Sequence, residues 1–187
     1  MMHFAGFEQG LEPVKPIIMI SVLCPMYNEE KYSAKCIESI LEQDYPKDDL
    51  EVIFVDGMST DRTRGIVAEY ANTYPFIRMV DNPDRIVPPA MNIGIRLAKG
   101  EIIIRLDAHA IFPSDYFSEL TKNLIELDAD NVGGVCRTLP VDDSVKSRSI
   151  AAVLSSSFGM GNSYFRIGAD SVREVDTVPF GCFRREL

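Results

Sequence analysis

The stretch LEVIFVDGMSTDRT, Leu50 to Thr63, passes from an apolar run to a carboxylate and then to small polar residues. Apolarity from Leu50 to Val55, broken only by Glu51, suits a strand buried on both faces, and Asp56 marks where it runs out. Ser59, Thr60 and Asp61 are candidates to cap the helix that follows, whose buried stripe is Ile66, Val67, Tyr70 and Tyr74.

The same grammar extends in both directions. Upstream, Ile17 to Cys24 is a second apolar run closed by Pro25, after which Asn28 can cap a helix with Glu29 and Glu30 in its first turn and Ser33, Cys36, Ile37, Ile40 and Leu41 at helical spacing. Downstream come a short strand over Phe76–Val80, a helix over Pro88–Lys99 stopped by Gly100, and a strand over Glu101–Leu106. A helix over Ser114–Asp128, with Phe117, Leu120, Leu124 and Leu127 on one face, leads to a strand over Val132–Cys136. Strands alternating with helices require crossover connections, so the fold class is α/β, with a mostly parallel sheet and helices on both of its faces. From Arg137 the regularity fades: a helix is predicted over Ser147–Leu154, a mobile active-site loop over SSSFGMGNSYF, and a strand over Val175–Phe183. Met1 to Lys15 has no period and reads as a poorly ordered lead-in, which gives three segments: 1–15, an α/β region over 16–136, and 137–187 as a further part of the same domain.

Composition excludes several classes. The 187 residues carry a formal net charge of -9, concentrated before Arg137, which argues against a nucleic-acid partner, since such partners call for a basic stripe. The four cysteines form no CxxC pair and sit mostly in apolar runs, as reduced core thiols of a cytoplasmic chain do. Pro16 to Met26 is too short for a membrane-spanning helix, and no signal-peptide layout precedes it.

In a parallel α/β sheet, ligands bind beyond the carboxyl ends of the strands, which directs attention to PMYNEE, DGMSTD and DAHA. Asn28 and Asp61 can serve purely as helix caps, and Tyr27 as a rim aromatic. Asp56 and Asp107 are harder to explain structurally, because a carboxylate ending a buried strand is costly unless it is bound or hydrated. His109 gains interest from its spacing to Asp107. There is no GxxxxGK[ST] loop and no GxSxG elbow, and Gly159-Met-Gly161 lacks both the third glycine and the position of a dinucleotide fingerprint. A phosphate ligand in so acidic a chain is most simply held through a divalent cation, for which carboxylate and imidazole suit Mn2+ and the oxygens suit Mg2+.

With these residues laid out, the sequence resembles the nucleotide-sugar-binding part of family 2 glycosyltransferases, of the Rossmann-like GT-A fold of nucleotide-diphospho-sugar transferases. SVLCPMYNEEKY is similar to that family's opening strand and turn, EVIFVDGMSTDRT to its second strand and acid, and AMNIGIRLAKGEIIIRLDAHA to its asparagine helix and Asp-any-Asp strand. VGGV and DTVPFGCFRREL are similar to bacterial exopolysaccharide glucosyltransferases of the succinoglycan type.

The resemblance implies that Pro25, Tyr27 and Glu29 lie around the base and ribose, that Asp56 accepts from the uracil imide nitrogen, and that Asp107 sits on the ribose and metal side of the diphosphate. Asn92 falls on the family's asparagine near the donor, where it can equally be a packing or capping residue. His109 stands where the family has its metal-ligating aspartate, so the implied metal ligands are Asp107 and His109 and the implied cofactor Mn2+ or Mg2+. Gly57-Met58 departs from the family's Asp-Gly. The acidic motif that supplies the catalytic base is expected beyond Leu187, so the fold is read as truncated on its C-terminal side, with 137–187 the start of an incomplete acceptor-side region. The activity implied is inverting transfer of a sugar, glucose being expected, from a UDP-sugar to a saccharide or lipid-linked saccharide in polysaccharide biosynthesis, at the cytoplasmic face of the membrane. The alternative is a noncatalytic nucleotide-sugar-binding or assembly module. Ile150, Val153, Leu154 and Phe158, beside Lys146 and Arg148, leave two readings open: peripheral membrane association, or a helix packed on the sheet.

Overall fold

The computed structural model describes residues 18–169 and 171–186; the lead-in expected over 1–15 lies outside them. Six strands, β1 (Ile20–Met26), β2 (Leu50–Asp56), β3 (Ile77–Asp81), β4 (Ile102–Arg105), β5 (Asn131–Val132) and β6 (Cys182–Arg184), form one sheet in the order β3-β2-β1-β4-β6-β5. The neighbours among β1 to β4 pair in parallel, and β6 runs antiparallel to both β4 and β5. This is the mostly parallel sheet that the alternation of periods predicts.

Helices α1 (Ser33–Leu41), α2 (Thr63–Thr73), α3 (Val87–Leu97) and α4 (Tyr116–Glu126) cover both faces. Every residue of β1 and β2 is buried, and alternate side chains enter two separate cores. Val22, Cys24, Val52, Phe54 and Ile104 pack with Cys36, Ile37 and Ile40 of α1, Val67 of α2 and Phe117 and Leu124 of α4. Leu23, Ile53, Val55 and Ile103 face the other way, onto Ala90, Met91 and Ile93 of α3. The chain steps outward from β1 to β2 and β3, then returns past β1 to β4. Right-handed crossovers in opposite directions put α1 and α2 on one face and α3 on the other. The reversal leaves a switch point between β1 and β4, where the carboxyl ends of neighbouring strands diverge.

The last third departs from expectation. The strand predicted over Val132–Cys136 is only the two residues of β5, because Gly133 lies so close to the 178–179 backbone and side chains that a Cβ there would come within 2.8 Å of the Pro179 carbonyl. The strand predicted over Val175–Phe183 begins only at Cys182, since Phe180 and Gly181 adopt positive φ (58° and 30°) that extended backbone cannot accommodate. Helix α5 (Val145–Leu154) begins at a Ser144 cap, and the loop predicted over SSSFGMGNSYF is instead two helical turns, α6 (Ser157–Met160) and α7 (Tyr164–Ile167). Within α5 only Ala151 is buried, and α5 packs against α6, with Ile150, Val153 and Phe158 exposed. Among the described residues, no helix is long and apolar enough to cross a membrane. Cys24, Cys36 and Cys182 are free, buried thiols.

Candidate functional site

The loops that follow β1 and β2 are bonded to each other. Asn28 N–H donates to Ser59 Oγ at 2.9 Å, Glu29 N–H to Thr63 Oγ1 at 2.7 Å and Glu30 N–H to Asp61 Oδ2 at 3.1 Å. In return Thr60 N–H donates to Asn28 Oδ1 at 2.9 Å and Arg62 N–H to Glu30 Oε2 at 3.1 Å. Asn28 therefore does not cap a helix: it takes a left-handed φ of 54°, and α1 starts only at Ser33 after a turn through residues 29–32. Ser59 and Thr60 likewise spend their polar atoms on the neighbouring loop or its own strand end. Asp61 does both jobs, accepting from Thr63 N–H at 3.0 Å as well as from Glu30. Desolvation pushes the Asp61 carboxyl up, but the bonds from Thr63 and Glu30 outweigh it and hold the group below its ordinary value.

A cavity of about 180 Å³ opens at the carboxyl rim of the sheet, at the switch point. The end of β1 contributes Pro25, Met26, Tyr27 and Glu29, and the end of β2 contributes Val55 and Gly57. The segment after β3 contributes Asn82, Arg85 and the first turn of α3, and the end of β4 contributes Arg105, Asp107 and His109. Gly57 has a reason to lack a side chain, since a Cβ there would press within 3.3 Å of the Tyr27 ring and the Met26 carbonyl. Tyr27 itself is 43% exposed, a ring standing at the cavity mouth.

Five of the residues singled out in the sequence, Pro25, Tyr27, Glu29, Asp107 and His109, thus line one cavity. Two of the others do not. Asn92 lies on α3 as an exposed residue away from the lining. Asp56, between Val55 and Gly57 in the chain, is not among the lining residues and has no solvent exposure. Its Oδ2 accepts from Arg64 Nη1 at 2.5 Å and from Ser59 N–H at 3.0 Å, while Oδ1 is buried without any partner. Arg64 Nη1 also reaches Asp81 Oδ1 at 2.8 Å, and the two carboxylates, Asp56 first, push the guanidinium still further up.

Asn82, Arg85 and Arg105 were not marked by periodicity. Asn82 is 2% exposed; its amide donates to the Ile86 carbonyl at 2.9 Å and leaves Oδ1 buried and unpartnered. Arg105 Nε is also buried and unpartnered, while its Nη2 donates to Asp107 Oδ1 at 3.1 Å. The signal was present: DNPDR follows the third strand as the other site loops follow theirs, and an arginine interrupts the apolar run of β4.

Glu29 Oε1 lies 3.3 Å from His109 Nδ1. Among the described residues, no group of three or more acidic, histidine or cysteine side chains is arranged to hold a metal ion. Asp107 and His109 do line the same cavity and offer a hard oxygen and a borderline nitrogen, a pair that fits a divalent cation whose other ligands come from a bound anion.

Comparison with known proteins agrees with this architecture. A 34% identical relative over 172 residues is the dolichyl N-acetyl-alpha-D-glucosaminyl phosphate 3-beta-D-2,3-diacetamido-2,3-dideoxy-beta-D-glucuronosyltransferase of Methanococcus voltae, matching 90% of this chain and 53% of that protein. The succinoglycan biosynthesis protein ExoA of Rhizobium meliloti is 33% identical over 150 residues, 79% of this chain and 44% of its own. The chain thus spans about half the length of these relatives. A solved structure of the mannosyltransferase PcManGT from Pyrobaculum calidifontis, in complex with GDP-Man and Mn2+, superposes with a TM-score of 0.61 at 35% identity, over 64% of this chain and 36% of that one. The fold is GT-A. The family model for glycosyl transferase family 2 matches residues 21–185, and the chain belongs to that family.

Proposed function

We propose that the rim cavity binds the nucleotide part of a UDP-sugar, and that the chain is the donor-binding portion of an enzyme that transfers glucose, with inversion, to a saccharide or lipid-linked saccharide in polysaccharide biosynthesis. The observation that carries the reading is the meeting of Tyr27, Glu29, Asp107 and His109 in one cavity, with Asp56, the chain neighbour of two lining residues, keeping a buried carboxylate oxygen that has no partner in the protein. A volume of about 180 Å³ is below the roughly 300–1,000 Å³ usual for whole-ligand pockets. It suits one part of a donor, with the remainder lying across the open rim.

In this reading Tyr27 provides a face for the base, and Asp56 Oδ1 accepts its imide N–H. Uracil offers one such donor, and an acceptor that is already desolvated binds it without further desolvation cost. Asp107 and His109 would hold the divalent cation, Mn2+ in the first instance. When bound, that ion neutralises charge developing on the leaving diphosphate. Arg105 orients Asp107 through the bond to Oδ1, which leaves Oδ2 to face the ligand. Glu29 similarly faces Nδ1 of His109 and directs Nε2 outward. These residues serve the leaving-group side; the proton of the attacking hydroxyl falls to a carboxylate that is not among them.

Calorimetric titration of the chain with UDP and Mn2+ tests this. Asp107→Ala is expected to abolish metal-dependent binding, whereas His109→Asp retains it. Absence of heat on folded protein would overturn the reading, loss of binding in His109→Asp would overturn the ligand role of His109, and equal affinity for GDP would overturn the choice of uridine.

A further inference from the structure

We propose that Arg64 is a positioning residue for base recognition: it holds Asp56 by one oxygen so that the other remains the acceptor presented to the base. The inference rests on the reading of Asp56 given above. It starts from register. Asp56 and Asp81 are paired positions on the parallel strands β2 and β3, so their carboxylates stand side by side on one face of the sheet. Two like charges at that spacing repel, more strongly here because Asp56 is fully buried. Arg64, second residue of α2, places a single nitrogen between them, Nη1, at 2.5 Å from Asp56 Oδ2 and 2.8 Å from Asp81 Oδ1.

The sharing of that nitrogen decides what is left over. An arginine facing a carboxylate alone commonly binds it with two parallel N–H bonds, one to each oxygen. Asp81 draws the guanidinium across, so Asp56 is gripped through Oδ2 only, and the Ser59 N–H at 3.0 Å adds to the same oxygen. Oδ1 is then a buried acceptor that no protein group satisfies. Such an atom costs stability in the empty protein, and a ligand N–H removes that cost. Asp81, 53% exposed, serves as the tether of Arg64 and does not touch the base.

The test compares UDP with UDP methylated at the uracil N3, by calorimetry on the full chain. Wild type is expected to prefer UDP by about 10-fold or more, the scale of one hydrogen bond to a charged acceptor. Arg64→Met is expected to lower that preference to less than about 3-fold while the circular dichroism stays that of wild type, and Arg64→Lys to restore most of it, as charge retention requires. Asp81→Asn is a second route that avoids the buried ion pair: releasing the tether lets Arg64 take both oxygens of Asp56, and the preference falls in the same way. A wild type indifferent to the methyl group would sink the base-reading role of Asp56. A wild type and an Asp56→Asn variant that behave as that role demands, with undiminished preference in either Arg64→Met or Asp81→Asn, would overturn the positioning role alone.

Discussion

Replacing Thr63 with valine preserves the shape of the side chain and removes only its hydroxyl, at a residue with no solvent exposure. In the native chain that hydroxyl accepts the Glu29 N–H at 2.7 Å and bonds the Asp61 carboxylate. Valine leaves the amide inside the loop junction without an acceptor, which costs about 1–3 kcal/mol. For a domain of this size each kcal/mol lowers the melting midpoint by about 2–4 °C, so a fall of roughly 2–12 °C is expected, while Thr63→Ser stays within about 0.5 kcal/mol of wild type. Denaturant unfolding measures the loss as a lower midpoint with unchanged slope. The same variant frees the backbone that sets Glu29 against His109, so the heat of UDP and Mn2+ binding falls too. A Thr63→Val chain that unfolds within about 0.3 kcal/mol of wild type would refute the claim that these loops stand on their mutual hydrogen bonds.

Acid loosens the same junction. The Asp61 carboxyl lies below its ordinary value of 3.8, so its contribution is fully present above that value and is lost as pH falls through the lower, folded value. Glu51 behaves alike: desolvation raises it, yet bonds from Ser21, Lys99 N–H and Arg78 hold it below its ordinary 4.5. Protection of the Glu30 and Lys99 amides, taken relative to the intrinsic exchange rate at each pH, is expected to fall as pH drops below 3.8 for the first and 4.5 for the second, through the lower folded values, and Asp61→Asn removes the pH dependence at Glu30 alone. Gly100→Ala forces a Cβ to 2.5 Å from the Ser21 nitrogen and 2.7 Å from its Oγ, and is expected to destabilise by about 1–3 kcal/mol in thermal unfolding.

Period alone located β1 to β4 and the helices between them, because β1 and β2 are sealed on both faces and each helix has one apolar stripe. Period fails where the fold is held by backbone fit: β5 and β6 are two and three residues long, and the positive φ of Phe180 and Gly181 leaves no mark in hydrophobicity. The polar residues after β2 show a different limit. Serine, threonine and aspartate before a helix are what a cap requires, and the same atoms serve equally to stitch one loop to another about 31–34 positions away in the chain. Only the structure separates these uses. Asn82 was missed for a simpler reason, since the end of β3 belongs to the same rim as the other strand ends and an amide there is as informative as an acid.

The rim poses an electrostatic problem that its pairings resolve only in part. Glu29, Asp56, Asp81 and Asp107 crowd the carboxyl edge of a chain with net charge -9, and an unpaired cluster of that kind would repel a diphosphate. Two arginines offset part of that charge: Asp56 and Asp81 share Arg64, and Asp107 faces Arg105, while Glu29 faces the His109 imidazole. Two guanidiniums against four carboxylates leave the rim acidic. Arg85, held in the lining by a left-handed φ of 61° that a non-glycine residue adopts only under constraint, has no carboxylate partner among the described residues. On the function proposed here, a diphosphate brings charge that this one guanidinium does not balance. The cation held by Asp107 and His109 then becomes a requirement of binding as well as of chemistry, and UDP affinity should fall steeply when divalent ions are removed, well before any sugar is transferred.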